Sequence, residues 1–345
     1  MKAFLLSGPA LVSQPSTRAA RSAALLKDQQ MMKRLYVSVA WAALGLAVLP
    51  AGAASFTEDF STDPAQRGWQ TFGDTNLFAW NATNQNLEVT WDSTQANSYF
   101  FRPLGTILTT NDDFSLEFDL RLTDVTTTNY GCELAIGLLH YADATSPGFQ
   151  RTTGVSPNVA EFDCFPPSQI PPSVDATLID SSNNFAFAYE AVPLEPGVVY
   201  HVRLSHVAGE TSLSGEVLTN GEPVTTLPDS FGAIAADFRL DMLAISSYQD
   251  DGYGDDILAH GTVDNLVLTL PPLPVQNLTG AFTNGLWQCQ FDSRTNWSYR
   301  LERTEDFQSW TPIGGAAPGT GARVALSDSS YPPGQAFYRV AAFLP

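Results

Sequence analysis

The chain has 345 residues, with 17 basic and 36 acidic side chains and a net charge of −19. So acidic a balance argues against nucleic acid or an anionic membrane surface as partner. A content of 44 % hydrophobic and 11 % aromatic residues excludes intrinsic disorder and suffices for a large core.

Met31-Met-Lys-Arg34, the apolar run Leu35 to Leu49 and Pro50-Ala-Gly-Ala53 have the three parts of a secretory signal peptide: basic start, apolar centre and small-residue cleavage site. The apolar run is shorter than the roughly 20 residues of a spanning helix. Residues 31–53 are therefore expected to be a leader cleaved near Ala53, residues 1–30 a spurious extension, and the mature protein secreted or cell-surface/periplasmic without membrane insertion. Six of the basic residues but only one acid, Asp28, precede residue 54. The remainder carries 11 arginines, no lysine and 35 acids, a net charge of −24.

Beyond the leader, period-two alternation bounded by Gly, Pro, Asn and Asp predicts strands. In chain order they are Phe56–Phe60, Trp69–Phe72, Leu77–Trp80, Leu87–Trp91, Tyr99–Leu104, Phe114–Leu122, Cys132–His140 and Val159–Phe165. Then come Phe185–Tyr189, Val198–His206, Ser212–Leu218, Phe238–Ile245 and Val263–Leu270. Asn220-Gly221 has the composition of a type I′ turn. So many strands without amphipathic helices predict an all-β, two-sheet jelly-roll sandwich over residues 55–270. The Pro-rich segment 271–276 cannot continue a ladder and reads as a linker. Residues 277–345, with strands Leu286–Phe291, Trp297–Arg303, Ala322–Ser327 and Ala336–Ala342, read as a small C-terminal β-sandwich module.

The strand Asn158-Val-Ala-Glu-Phe-Asp-Cys-Phe165 is the most informative. Alternation sends Ala160, Phe162 and Cys164 to one face and Glu161 and Asp163 to the other. Phe114–Leu122, Cys132–His140 and Tyr200–His206 alternate in the same sense. If they share one sheet, its outer face carries Glu117, Asp119, Arg121, Glu133, Glu161, Asp163, His201 and Arg203, with Ala135 and Gly137 leaving room for close approach to the backbone. Such a face can be a ligand site, built on Glu161, Asp163, Glu133, His201 and Arg203, or a set of surface ion pairs that contributes little to stability. Trp80 and Trp91 are candidates for stacking on a sugar face.

The opening Phe56-Thr-Glu-Asp-Phe60 with Trp69, the Val-Ala-Glu-Phe-Asp strand, Tyr200-His-Val-Arg-Leu and the closing Val263-Asp-Asn-Leu-Val-Leu together resemble the concanavalin A-like lectin/glucanase (laminin G-like) superfamily over residues 55–270. The segment His260-Gly-Thr-Val-Asp-Asn265 is similar to one in secreted bacterial members. The resemblance implies a jelly roll and two uses of the Glu-x-Asp strand. In glucanases it continues as Glu-x-Asp-x-x-Glu; Pro166 or Pro167 stands at the second glutamate here, so only Glu161 is available as a catalytic residue. In legume-type lectins the strand ligates manganese and calcium with help from downstream residues, but here Asp175 is the first acid that follows. No cofactor is required by this reading. A structural calcium is conceivable between Asp59 and Asp264 on the first and last strands, and the acidic loop 250–256 is oxygen-rich. Cys132 and Cys164, on the core side of their strands, form either a disulfide or two buried thiols. The expected function is non-catalytic binding of carbohydrate or another cell-surface polymer. Alternatives are a divergent polysaccharide-active enzyme using Glu161, and a structural surface protein without ligand.

Overall fold

In a computed structural model, the structure describes residues 3–6, 54–127, 134–151, 154–165, 172–227, 231–232, 234–249, 257–283, 285–332 and 334–344. One compact unit ends at Pro274 and a second contains Val275 onward. The larger unit is a two-sheet, all-β jelly-roll sandwich.

The first sheet has eight strands in the order Phe231–Gly232, Phe185–Glu190, Ser173–Ile179, Val159–Phe165, Leu134–Leu139, Leu240–Ser247, Ser98–Leu108, Gln70–Phe72. The second runs Glu222–Leu227, Ser214–Thr219, Val199–His206, Phe114–Thr127, Ile257–Leu270, Asn86–Asp92, Phe78–Asn81, with Ala54–Glu58 also paired to Ile257–Leu270. All of these pairings are antiparallel. Phe162 of the first sheet meets Phe118 of the second edge-on, their ring centroids 5.9 Å apart and both fully buried. That contact marks the core between the sheets, where the even-numbered residues Ala160, Phe162 and Cys164 point. Asn220 and Gly221 both adopt positive φ, 51° and 81°, which the tight turn between Ser214–Thr219 and Glu222–Leu227 requires.

Two expectations need correction. Phe114–Thr127 and Val199–His206 belong to the second sheet, so Glu117, Asp119, Arg121, His201 and Arg203 do not share a face with Glu161 and Asp163. The face that carries Glu161 and Asp163 is also not open: every residue of Leu134–Leu139 and Ser173–Ile179 is buried. The segment after Leu139, with its single helical turn Tyr141–Ala144 and buried Phe149, covers part of that face. Tyr99 pins it there by donating to the Ala144 carbonyl at 3.0 Å.

The Val275 unit contains a three-stranded sheet, Val275–Thr283, Leu286–Ser293, Arg323–Asp328. It also contains Phe337–Phe343, Ser298–Thr304 and Thr311–Pro318, and Ala3–Leu6 pairs with Phe337–Phe343. Phe291 and Tyr299, both fully buried, pack between these two small sheets at 4.9 Å. Among the described residues no helix is long and apolar enough to cross a membrane.

Candidate functional site

Glu161 and Asp163 do share a face, and both are fully buried. The residue that joins them is Arg151, from the covering segment. Its Nε donates to Glu161 Oε1 at 2.5 Å and its Nη2 to Asp163 Oδ2 at 2.9 Å. Tyr248 donates its hydroxyl to Glu161 Oε2 at 2.7 Å, and Thr177 donates to Asp163 Oδ2 at 2.7 Å. Glu161 lies opposite Gly137 on one side and Thr177 on the other; Asp163 lies between Ala135 and Asp175. A Cβ at Gly137 would fall 2.3 Å from the Glu161 Cβ and 2.4 Å from the Ala160 carbonyl oxygen. The space left by this glycine is filled by Glu161 and is not open to a ligand.

Burial, reinforced by the neighbouring Glu161 carboxylate, pushes the Asp163 carboxyl up to about 8 against the opposing pull of Arg151 and Thr177. Burial likewise holds the Tyr248 hydroxyl well above its ordinary value, with Glu161 adding to the shift. Together these groups form a polar cluster with one arginine between two buried carboxylates.

An open pocket of about 280 Å³ lies against this cluster, lined by Arg151, Asp175, Thr177, Phe165, Phe185 and Phe187 among others. The odd-numbered residues Phe185, Phe187 and Tyr189 stand on one face of their strand, opposite Ile179, Thr177 and Asp175 respectively. The rings of Phe185 and Phe187 stack at 5.6 Å and 26°; Phe185 is 54 % exposed and Tyr189 37 % exposed. Aromatic rings beside a few polar groups are the usual makeup of a small-molecule site.

The other expected site residues lie elsewhere. Glu133, Cys132, Pro166, Pro167 and the loop 250–256 fall outside the described residues. His201 bridges Asp119 and Glu117 at 2.7 and 3.2 Å, and Arg203 reaches Glu117 and Glu216 at 3.3 and 3.2 Å, all on the second sheet. That is the surface ion-pair arrangement. Trp91 is buried in the core and cannot stack on a ligand. Trp80 is 36 % exposed, but it too belongs to the second sheet, where its indole donates to the Phe60 carbonyl.

Asp59 accepts from the Ser61 amide and hydroxyl and lies 3.5 Å from Arg67, which also contacts the buried Glu58. Burial raises the Asp264 carboxyl, and Asp119, Asp59 and Glu58 add to the shift against the Asn265 amide. Arg67 supplies the positive charge beside Asp59 and Glu58. Among the described residues no group of three or more His, Cys, Asp or Glu side chains is arranged to hold a metal. Cys164 is a buried free thiol, not half of a disulfide.

Sequence reasoning missed Arg151, Tyr248, Asp175 with Thr177, and the role of the Phe185–Tyr189 row. The last two had a usable signal. Val174, Ala176 and Leu178 alternate with Asp175 and Thr177, and the aromatic row occupies every second position of a predicted strand.

No family model matches the chain, and no curated protein does. Among solved structures it is similar to lectin II from Ulex europaeus, at 13 % identity and a TM-score of 0.41, over 63 % of this chain and 98 % of that one. Peanut lectin matches at 14 % and 0.39, over 64 % and 99 %. A carbohydrate esterase from Shiga toxin-encoding bacteriophage phi24B matches at 13 % and 0.37, over 64 % and 100 %. At this identity the likeness concerns the course of the chain and assigns no function.

Proposed function

We propose that the chain is a secreted, non-catalytic β-sandwich that binds carbohydrate or another extracellular polymer in the groove beside Phe185 and Phe187, its C-terminal module serving attachment or spacing. The observation that carries this reading is the stacked Phe185–Phe187 pair, exposed at Phe185 and half-buried at Phe187, on the wall of a pocket that also holds Arg151, Asp175 and Thr177. Stacked rings offer flat apolar area to the C–H face of a pyranose, and the polar groups can hydrogen-bond its hydroxyls. The leader-like residues 31–53 and the superfamily resemblance over residues 55–270 support the same reading.

The second reading, a divergent glycoside hydrolase using Glu161, draws on adjacent carboxylates of which one, Asp163, titrates far above its ordinary range. Against it stands the burial of both carboxylates beneath Arg151 and Tyr248, which leaves no exposed oxygen for a substrate.

A panel of soluble polysaccharides, assayed in parallel for binding by calorimetry and for release of reducing ends, separates the readings. Binding without product, lost in a Phe185→Ala/Phe187→Ala variant, is the expected result. Product formation abolished by Glu161→Gln would replace it with the hydrolase. Silence in both assays would leave a structural protein.

A further inference from the structure

We infer that the groove selects glycans bearing protonated amino sugars, with Asp175 as the residue that sets this preference. The inference rests on the carbohydrate reading above and concerns the charge class of the ligand.

Among the described lining residues Arg151 is the only cation. Its guanidinium is committed to two carboxylates, Glu161 at 2.5 Å and Asp163 at 2.9 Å, and its side chain is 12 % exposed. An arginine held this way cannot turn to a uronate or sulfate without abandoning a fully buried carboxylate, a strongly unfavourable exchange. Asp175, 7 % exposed, is the other charged residue among the described lining residues. Asp175 lies directly across the strand pair from Asp163, so the one guanidinium among the described lining residues stands in a neighbourhood of three acidic side chains, Glu161, Asp163 and Asp175.

The remaining wall points the same way. The stacked rings of Phe185 and Phe187 line this side of the groove, and Tyr189 extends the row directly across from Asp175. Aromatic faces are electron-rich and attract ammonium groups. A carboxylate at the end of an aromatic row can therefore hold a protonated amine while the sugar ring lies on the phenylalanines. Beyond the leader the chain carries 11 arginines against 35 acids, which draws cationic polymers in and repels anionic ones.

The test compares oligosaccharides of equal length by calorimetry at low ionic strength: a glucosamine oligomer with its amines protonated, its N-acetylated counterpart, a neutral glucose oligomer and a uronate oligomer. The inference expects the glucosamine oligomer to bind at least about tenfold more tightly than the N-acetylated one. Added salt should weaken that preference, and Asp175→Asn should remove it. Equal binding of the amine and the acetamide, or tighter binding of the uronate, overturns the inference but leaves the carbohydrate reading intact. If none of the four binds, both fall. Should Asp175→Asn fail to fold, the ranking of the four ligands by the wild-type protein still decides.

Discussion

Gly137 lies directly across a strand pair from Glu161, so close that a single added methyl group would fall 2.3 Å from the Glu161 Cβ and 2.4 Å from its Cα. Both neighbouring atoms belong to a central strand that cannot shift alone. Gly137→Ala is expected to destabilise the sandwich by about 2 kcal/mol or more through overpacking. Urea denaturation measures this. A change below about 0.5 kcal/mol would mean that the two strands can separate locally and that Gly137 does not set the position of Glu161.

Arg151 is the counterion of two fully buried carboxylates. Arg151→Met removes the cation that both acids share, and losses of about 3 kcal/mol are typical when a buried pair is broken this way. The loss should shrink towards acidic pH, where protonation of Glu161 removes the uncompensated charge. Guanidinium melts at about pH 4.5 and about pH 7.5 test it. A pH-independent loss would show that Arg151 acts by packing alone.

The raised Asp163 carboxyl has a definite sign in the pH dependence of stability. An unfolded aspartate releases its proton near the ordinary value of 3.8, whereas folded Asp163 keeps its proton up to about 8. Between those values the folded state holds the extra proton. This group alone therefore makes stability fall as pH rises, by at most about 1.4 kcal/mol per pH unit, and adds no further slope above about pH 8. Wild type minus Asp163→Asn isolates the effect, and the difference should grow in favour of the variant from about pH 5 to about pH 7. A difference that does not change between those pH values would mean that Arg151 dominates and that Asp163 is ionised throughout.

The two kinds of exposed aromatic residue should separate cleanly. Phe185 is 54 % exposed, so Phe185→Ala should cost little stability yet weaken polysaccharide binding about tenfold. Trp80→Ala, on the other sheet, should leave binding unchanged. Trp91→Ala removes a fully buried indole and should cost about 3–5 kcal/mol without bearing on ligand contact. Loss of binding in Trp80→Ala with retention in Phe185→Ala would move the site to the second sheet.

Much of the fold was legible in local pattern. The strand Val159–Phe165 has the bounds its alternation predicts, and the two-residue turn at Asn220-Gly221 has the positive φ values its composition predicts. Sheet membership was not legible, because alternation assigns a face within a strand but not the sheet to which the strand belongs. Arg203 and Glu161 alternate in the same sense yet stand in different sheets. Burial of the Glu161 face was hidden for a related reason: the cover is a loop without periodicity, and Arg151 within it carries no local sign of its partners. The strand Ser173–Ile179 is absent from the predicted strands although Val174, Ala176 and Leu178 alternate plainly, and without it nothing places Asp175 and Thr177 on the same face as Glu161 and Asp163.

The most direct test of the groove as the binding site is a crystal structure of the protein with the tightest-binding oligosaccharide from the panel. The account predicts a pyranose ring lying over Phe185 and Phe187, with a substituent directed to Asp175 and with Arg151 still bound to Glu161 and Asp163. An oligosaccharide seated on the second sheet instead, for instance in the polar pocket of about 360 Å³ lined by Asn86, Arg121 and His260, would contradict it.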